Sequence, residues 1–265
     1  MSSGLPEKCG RQSETRSFRR PAPASSPAHS VELTRRGGPV YPLTQKHQRY
    51  ANGENGRPAM TVRFHRYDLP DGAPFGESVA IDTETLGLAI GRDRLCLVQL
   101  SRGDGDADVV QVAAGQKSAP NLERLLADPD VLKLFHYGRF DMAVMHHAFG
   151  VMAEPVYCTK IASKIARTYT DRHGLKDLAR ELLGVEISKQ QQASDWGAQT
   201  LTEAQLAYAA SDVLHLHALR EKLDAMLARE GRDELARAAF AYLPDRVRLD
   251  LAGFEGVDVF SHTYP

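Results

Sequence analysis

Short apolar runs dominate the middle of this chain: Val79-Ala80-Ile81, then Leu95-Cys96-Leu97-Val98, then Val109-Val110. Runs of this length joined by short links predict three successive strands at about residues 78–83, 94–101 and 108–112, arranged as an antiparallel meander. The pattern then predicts a helix at about 119–127, a strand over 131–135 and a second helix over 139–148. A strand reached through a helix is normally added parallel, so the expected architecture is a mixed α/β sheet flanked by helices. Beyond residue 150 the rhythm is mostly helical. Leu206, Ala210, Val213, Leu214, Leu216 and Leu219 mark the apolar face of one long helix expected from about 202 to 229.

The first 59 residues follow no such rhythm. Pro21-Ala22-Pro23-Ala24-Ser25-Ser26-Pro27, Gly37-Gly38-Pro39 and Asn52-Gly53-Glu54-Asn55-Gly56 read as an unstructured, basic extension. That extension carries ten Lys and Arg against four Glu, while residues 60–265 carry 23 basic and 30 acidic side chains. Four glutamates and the lack of an amphipathic helix argue against a transit peptide, and no apolar h-region marks a secretory signal. Folded sequence begins at Thr61-Val62-Arg63-Phe64, so Met60 is the expected natural start and 60–265 the expected domain. Three scattered cysteines, Cys9, Cys96 and Cys158, make neither a disulfide framework nor a zinc site and suit a reducing, cytoplasmic setting. No run of about 18 apolar residues is present, so no membrane span is expected.

Candidate chemistry sits where strands and helices end. Side chains at i and i+2 of a strand share a face, so Asp82 and Glu84 point together while Thr83 points to the other side of the sheet. Asp141 falls in the first turn of the helix that follows a buried strand, where an acid also favours the positive end of the helix dipole. Tyr208 and Asp212 are four apart and neighbours on one side of their helix. Each placement alone has an ordinary structural explanation. If the segments converge, four carboxylates and a phenol form a site for two divalent cations of the kind that cleaves phosphodiesters.

In this order and wording the motifs resemble the DEDD 3′-to-5′ exonucleases, in the subgroup that ends in Tyr-x-x-x-Asp. Asp82-Thr83-Glu84-Thr85-Leu86-Gly87-Leu88, Leu97-Val98-Gln99-Leu100, Gly174-Leu175-Lys176-Asp177-Leu178-Ala179 and Lys189-Gln190-Gln191-Gln192-Ala193-Ser194-Asp195-Trp196 are similar to the ribonuclease D family over about residues 77–227. Ribonuclease D proper continues into helical RNA-binding domains, and only about 40 residues follow the last motif's helix here, so the resemblance points to the compact nanoRNase C group.

The resemblance implies a ribonuclease H-like fold and a cytoplasmic exoribonuclease that removes short oligoribonucleotides, dinucleotides in particular. It implies two Mg²⁺ or Mn²⁺ ions, with Asp82 bridging, Glu84 and Asp212 on the nucleophile side and Asp141 acting mainly through water. Tyr208 is expected to orient the attacking water, since a phenol with a pKa of about 10 is a poor base near neutrality. Leu86 is implied as a wedge against the terminal bases, and Glu84 as acceptor of the 3′-hydroxyl. His136, Phe140, His173, Lys189 and Gln192 are candidates for base stacking and phosphate contacts, with Lys189 and Gln192 chosen for the 5′-side phosphate. Trp196 reads as structural. The implied partners are short RNA, or DNA, and further copies of the chain in an octameric ring. Alternatives are a general ribonuclease D-like exonuclease acting on tRNA precursors or DNA, and a non-catalytic nucleic-acid-binding module.

Overall fold

The computed structural model describes residues 45–50, 60–188, 191 and 193–262. In chain order the strands are β1 (Gln45–Tyr50), β2 (Met60–Arg66), β3 (Ser78–Thr85), β4 (Leu95–Ser101), β5 (Ala107–Gln111), β6 (Leu132–Phe135) and β7 (Val156–Cys158). The helices are α1 (Pro120–Ala127), α2 (Arg139–Phe149), α3 (Thr159–Ala166), α4 (Leu175–Leu178), α5 (Glu203–Ser211), α6 (Leu216–Arg229) and α7 (Asp233–Leu249). Single π-helical turns, Ala179–Leu183 and Asp250–Phe254, extend α4 and α7.

The strands form one sheet in the order β1-β2-β5-β4-β3-β6-β7. β3, β4 and β5 make the expected antiparallel meander, and β6 joins β3 in parallel through α1. β7 extends that parallel half, while β2 lies parallel to β5 and antiparallel to β1. Central position explains β4: Leu95–Ser101 is buried at every residue, which is why its sequence is a continuous apolar run and not an alternating one. α5 packs on β2, β4 and β5, α3 on α6, and α2 on α7.

Two expectations are corrected. The extension over 1–59 is not wholly without structure, because Gln45–Tyr50 pairs along its length with β2 and the sheet therefore begins before Met60. The remainder of that segment lies outside the described residues. The long helix over 202–229 is two helices, α5 and α6, separated by a turn over residues 212–215. Its apolar spacing runs straight through the turn with no Gly or Pro, so periodicity alone could not locate the break. α5 starts on a capping box in which the Thr202 hydroxyl accepts from the Gln205 N–H and the Gln205 side chain accepts from the Thr202 N–H.

Candidate active site

Asp82 and Glu84 stand at the C-terminal end of β3, opposite Gln99 and Leu97 of β4. A register shift at Glu84 and Thr85 ends the regular pairing, and the chain turns away at Leu86. α5 delivers Tyr208 from its last turn. Asp212 is the residue after the helix, yet it keeps helical torsions of φ −74° and ψ −18°, so the one-turn spacing to Tyr208 survives the break. One oxygen each from Asp82, Glu84 and Asp212 lie within 4.8 Å of one another.

Asp141 stands beside this trio and not within it. It is the third residue of α2, buried, and its Oδ1 accepts a 2.6 Å hydrogen bond from the Thr83 hydroxyl. Alternation places Thr83 on the face opposite Asp82. Thr83 thus holds Asp141 at the end of β3, where its charge acts on Asp82, Glu84 and Asp212. At the same helix start, Arg139 Nη2 bonds Asp250 Oδ1 at 2.7 Å, which ties α2 to the end of α7.

Electrostatics separates this cluster from ordinary surface acids. Among the described residues no Lys, Arg or His forms an ion pair with Asp82, Glu84, Asp141 or Asp212. Burial first, then the charges of Asp141, Asp212 and Glu84, pushes Asp82 well above the usual carboxylate range. Burial together with Asp212 and Asp141 raises Glu84 to about 8. Asp212 rises to about 7 through burial and Asp141. Asp141 also rises to about 7 through burial, against the opposing bond from Thr83. Burial and the charges of Asp212, Glu84 and Asp82 hold the Tyr208 phenol above its ordinary value, so it keeps its proton near neutrality.

A cavity of about 250 Å³ opens on Asp82, Tyr208 and Asp212, with Gly174, Leu175, Lys176, Ile187 and Ser188 on its other walls. A larger cavity, about 1020 Å³, lies elsewhere among Val156, Tyr157, Leu227, Phe240 and Pro244. Its acids are already matched: Asp224 by Tyr157 and Arg220, Asp233 by Arg237, and Glu154 by Arg248. Unpaired carboxylates, not volume, mark the chemical site.

The substrate candidates divide. Leu86, 53% exposed, stands just beyond Glu84 as a wedge would. Phe140 is half-buried and packed against the core. His136 Nδ1 lies 2.9 Å from the Thr159 hydroxyl, which donates its own proton to the Phe135 carbonyl. Nδ1 must therefore carry hydrogen, leaving Nε2 as an acceptor. Burial and Lys160 lower the His136 pKa to about 3, so near neutral pH it is an uncharged ring and not a cation. His173 Nδ1 bonds the Ser163 hydroxyl at 2.8 Å, next to Gly174 on the cavity wall. Lys189 and Gln192 lie outside the described residues. Sequence reasoning missed Thr83, assigned to the back of the sheet, and Lys176, whose motif was noted without a role.

All-oxygen donors at this density suit a hard cation such as Mg²⁺, which takes one or two carboxylates and completes its shell with water and substrate phosphate. Three carboxylates converging with no cationic partner among the described residues fit such an ion, because an outside charge is what would let them ionise together.

A 3′-5′ exonuclease family matches residues 71–228. The chain belongs to that family. Among curated relatives, the chain is 39% identical to ribonuclease D of Gluconacetobacter diazotrophicus over 167 residues, covering 63% of this chain and 42% of the relative. It spans about two-fifths of the length of the curated relatives it matches first. Among solved structures it is similar to Brucella melitensis NrnC with bound Mg²⁺, at 58% identity and a TM-score of 0.74, over 76% of this chain and 99% of the other. NrnC bound to pGG matches at 60% identity and a TM-score of 0.75, over 77% and 100% of the two chains. Escherichia coli RNase D matches at 26% identity and a TM-score of 0.58, over 65% of this chain and 45% of the other. The fold is accordingly the mixed sheet with flanking helices expected of a ribonuclease H-like exonuclease.

Proposed function

We propose that the chain is a metal-dependent 3′-to-5′ exoribonuclease that hydrolyses short oligoribonucleotides, dinucleotides in particular, to 5′-mononucleotides. The observation that carries this reading is the trio Asp82, Glu84 and Asp212, converged within 4.8 Å and without a cationic partner among the described residues, beside the protonated Tyr208. Asp82, Glu84, Asp141 and Asp212 would hold two Mg²⁺ or Mn²⁺ ions, Asp141 through water because it stands outside the trio. Bound there, such ions supply a nucleophile near neutral pH and neutralise charge on the phosphoryl oxygens.

The chain's own side chains do the rest. Tyr208, held protonated by burial and three acidic neighbours, donates or accepts a hydrogen bond and so orients a water without acting as the base. Thr83 fixes the carboxylate of Asp141. Leu86 offers an apolar edge against which terminal bases stack, and Lys176 brings positive charge to a cavity whose acidic walls are Asp82, Asp177 and Asp212. His136 contributes a neutral acceptor and His173 a ring steadied by Ser163. Phe140, Lys189 and Gln192 complete the proposed contacts, the last two at the 5′-side phosphate.

The short substrate is favoured by likeness to NrnC, whose structure was solved with pGG, and by the excess of acids over bases in residues 60–265. Long polyanions are normally gripped along a basic track. Among the described residues no helix is long and apolar enough to cross a membrane, and Cys96 and Cys158 are free and buried. Both suit the cytoplasmic setting we propose. A ring of eight copies rests on the resemblance alone, and native mass spectrometry tests it. Mg²⁺-dependent hydrolysis of 5′-phosphorylated RNAs of two to seven nucleotides under single-turnover conditions tests the function. Faster cleavage of the dinucleotide supports the reading. Equal rates at every length favour a general ribonuclease D-like exonuclease, and no cleavage favours a binding module.

A further inference from the structure

Residues 195–199 form neither helix nor strand, yet four of their five carbonyls accept hydrogen bonds from side chains of the surrounding frame. Gln205 of α5 donates to the Asp195 carbonyl at 3.2 Å, and Arg94, just before β4, to that of Gly197 at 3.3 Å. Gln111 of β5 donates to the Ala198 carbonyl at 2.9 Å, and Arg66 of β2 to that of Gln199 at 3.3 Å. The Asp195 carboxylate also accepts from the Gly197 N–H at 3.0 Å. A connecting segment normally leaves such carbonyls to water. Here each is fixed to a different element of the fold.

The two residues in the middle of this segment face the two working ends of the site. The Trp196 ring, 3% exposed, stacks on Tyr208 with ring centroids 6.0 Å apart and an interplanar angle of 29°. Its indole N–H has no partner among the described residues, so the ring's specific contact is the phenol face. Gly197 runs so close to Leu86 that an added Cβ would fall 2.8 Å from Leu86 Cδ2. That is well inside carbon–carbon contact distance, so a methyl group at residue 197 would push the tip of the Leu86 side chain from its present position.

We propose that residues 195–199 form a brace that positions Tyr208 through Trp196 and seats Leu86 through Gly197. Trp196, expected from sequence to be merely structural, is on this reading a positioning residue. What each end does for turnover rests on the exonuclease function proposed above. The brace itself rests on the bonds and the stack. Because the ends touch different groups, they should fail in different kinetic parameters: loss of phenol positioning slows the chemical step, and displacement of Leu86 weakens seating of the bases.

The test measures kcat and KM for pGG with Mg²⁺, Mn²⁺ binding by calorimetry, and the emission of Trp196, the chain's sole tryptophan. Trp196→Leu should lower kcat about tenfold with KM changed less than about twofold, and Trp196→Phe, which keeps a ring, should recover most of the loss. Gly197→Ala should raise KM about fivefold with kcat changed less than about twofold. Mn²⁺ affinity should hold in all three variants. Parallel losses in both parameters, failure of Trp196→Phe to recover, or loss of Mn²⁺ binding would overturn the brace. Should the wild-type chain not cleave pGG, the functional reading fails on its own, and the brace is then decided by fluorescence. Tyr208→Leu must shift the Trp196 emission for the brace to stand, and an unchanged spectrum overturns it.

Discussion

The same sheet holds two clusters of acids, and they are built in opposite ways. On β5, Asp108 is 1% exposed and fully matched: Arg63 donates to both its oxygens at 3.0 and 3.1 Å, His65 Nε2 lies at 2.8 Å, and Arg102 donates at 3.1 Å. Burial opposes its ionisation, but the bonds from His65 and Arg63 and the charges of Arg63 and Arg102 outweigh it, and Asp108 titrates below its ordinary value. At the end of β3, Asp82, Glu84 and Asp212 gather within 4.8 Å with no such partner among the described residues, and all three titrate above their ordinary values. A matched buried acid belongs to the fold. An unmatched cluster stores repulsion that an outside cation relieves.

Substitution should expose that difference. Asp82→Ala removes the ligand proposed as central and should lower pGG hydrolysis by about a thousandfold, roughly 4 kcal/mol of barrier, with thermal stability kept or raised. Asp108→Ala should do the reverse, costing about 3–5 kcal/mol of stability through the charges left unpaired, while the folded fraction keeps its activity. Thermal melts and single-turnover rates on both variants check the pair. Thr83→Val frees Asp141 and should cost about 10- to 100-fold in activity or Mn²⁺ affinity, the usual range for a residue that orients a ligand. Tyr208→Phe should slow kcat about tenfold with Mn²⁺ affinity unchanged, because it removes one hydroxyl and no charge. Equal metal loss in Tyr208→Phe and Asp82→Ala would erase the division between orienting and ligating groups.

Two smaller effects sharpen the same contrast. Glu84, at about 8, and Asp141 and Asp212, at about 7, hold protons in the folded chain that the unfolded chain releases near pH 4. The metal-free protein should therefore lose stability as pH rises from about 4 to 8. Mg²⁺ should raise Tm more at pH 8 than at pH 6, and a Tm that climbs with pH in EDTA would contradict the raised values. Starting the chain at Met60 removes β1 from the sheet edge, four strands away from β3 in the order. A drop of a few degrees in Tm with pGG turnover changed less than about twofold is expected, since an edge strand adds little to a site it does not touch.

What was legible in the sequence follows from the range of each interaction. Alternation along β3 aligned Asp82 with Glu84, and the helix-compatible stretch from Met142 to Phe149 put Asp141 at a helix start, because both are local patterns. The parallel pairing of Val62 with Ala107 is fixed by tertiary packing, and no local rhythm encodes it. β7 is only three residues long, too short to show a period. Alternation assigned Thr83 to the far face, but its bond to Asp141 joins residues 58 apart. The break before α6 was hidden for the opposite reason, an apolar period too regular to betray a turn.

The contrast between matched and unmatched acids is tested most directly by calorimetric titration of Mn²⁺ into the wild-type chain at pH 7, in buffers of different ionisation enthalpy. Carboxylates held protonated by burial and mutual repulsion must give up protons to bind a cation, so saturable binding with release of about one proton or more is the expected result. No binding, or binding in which the heat is independent of the buffer, would contradict a metal site built from Asp82, Glu84, Asp141 and Asp212.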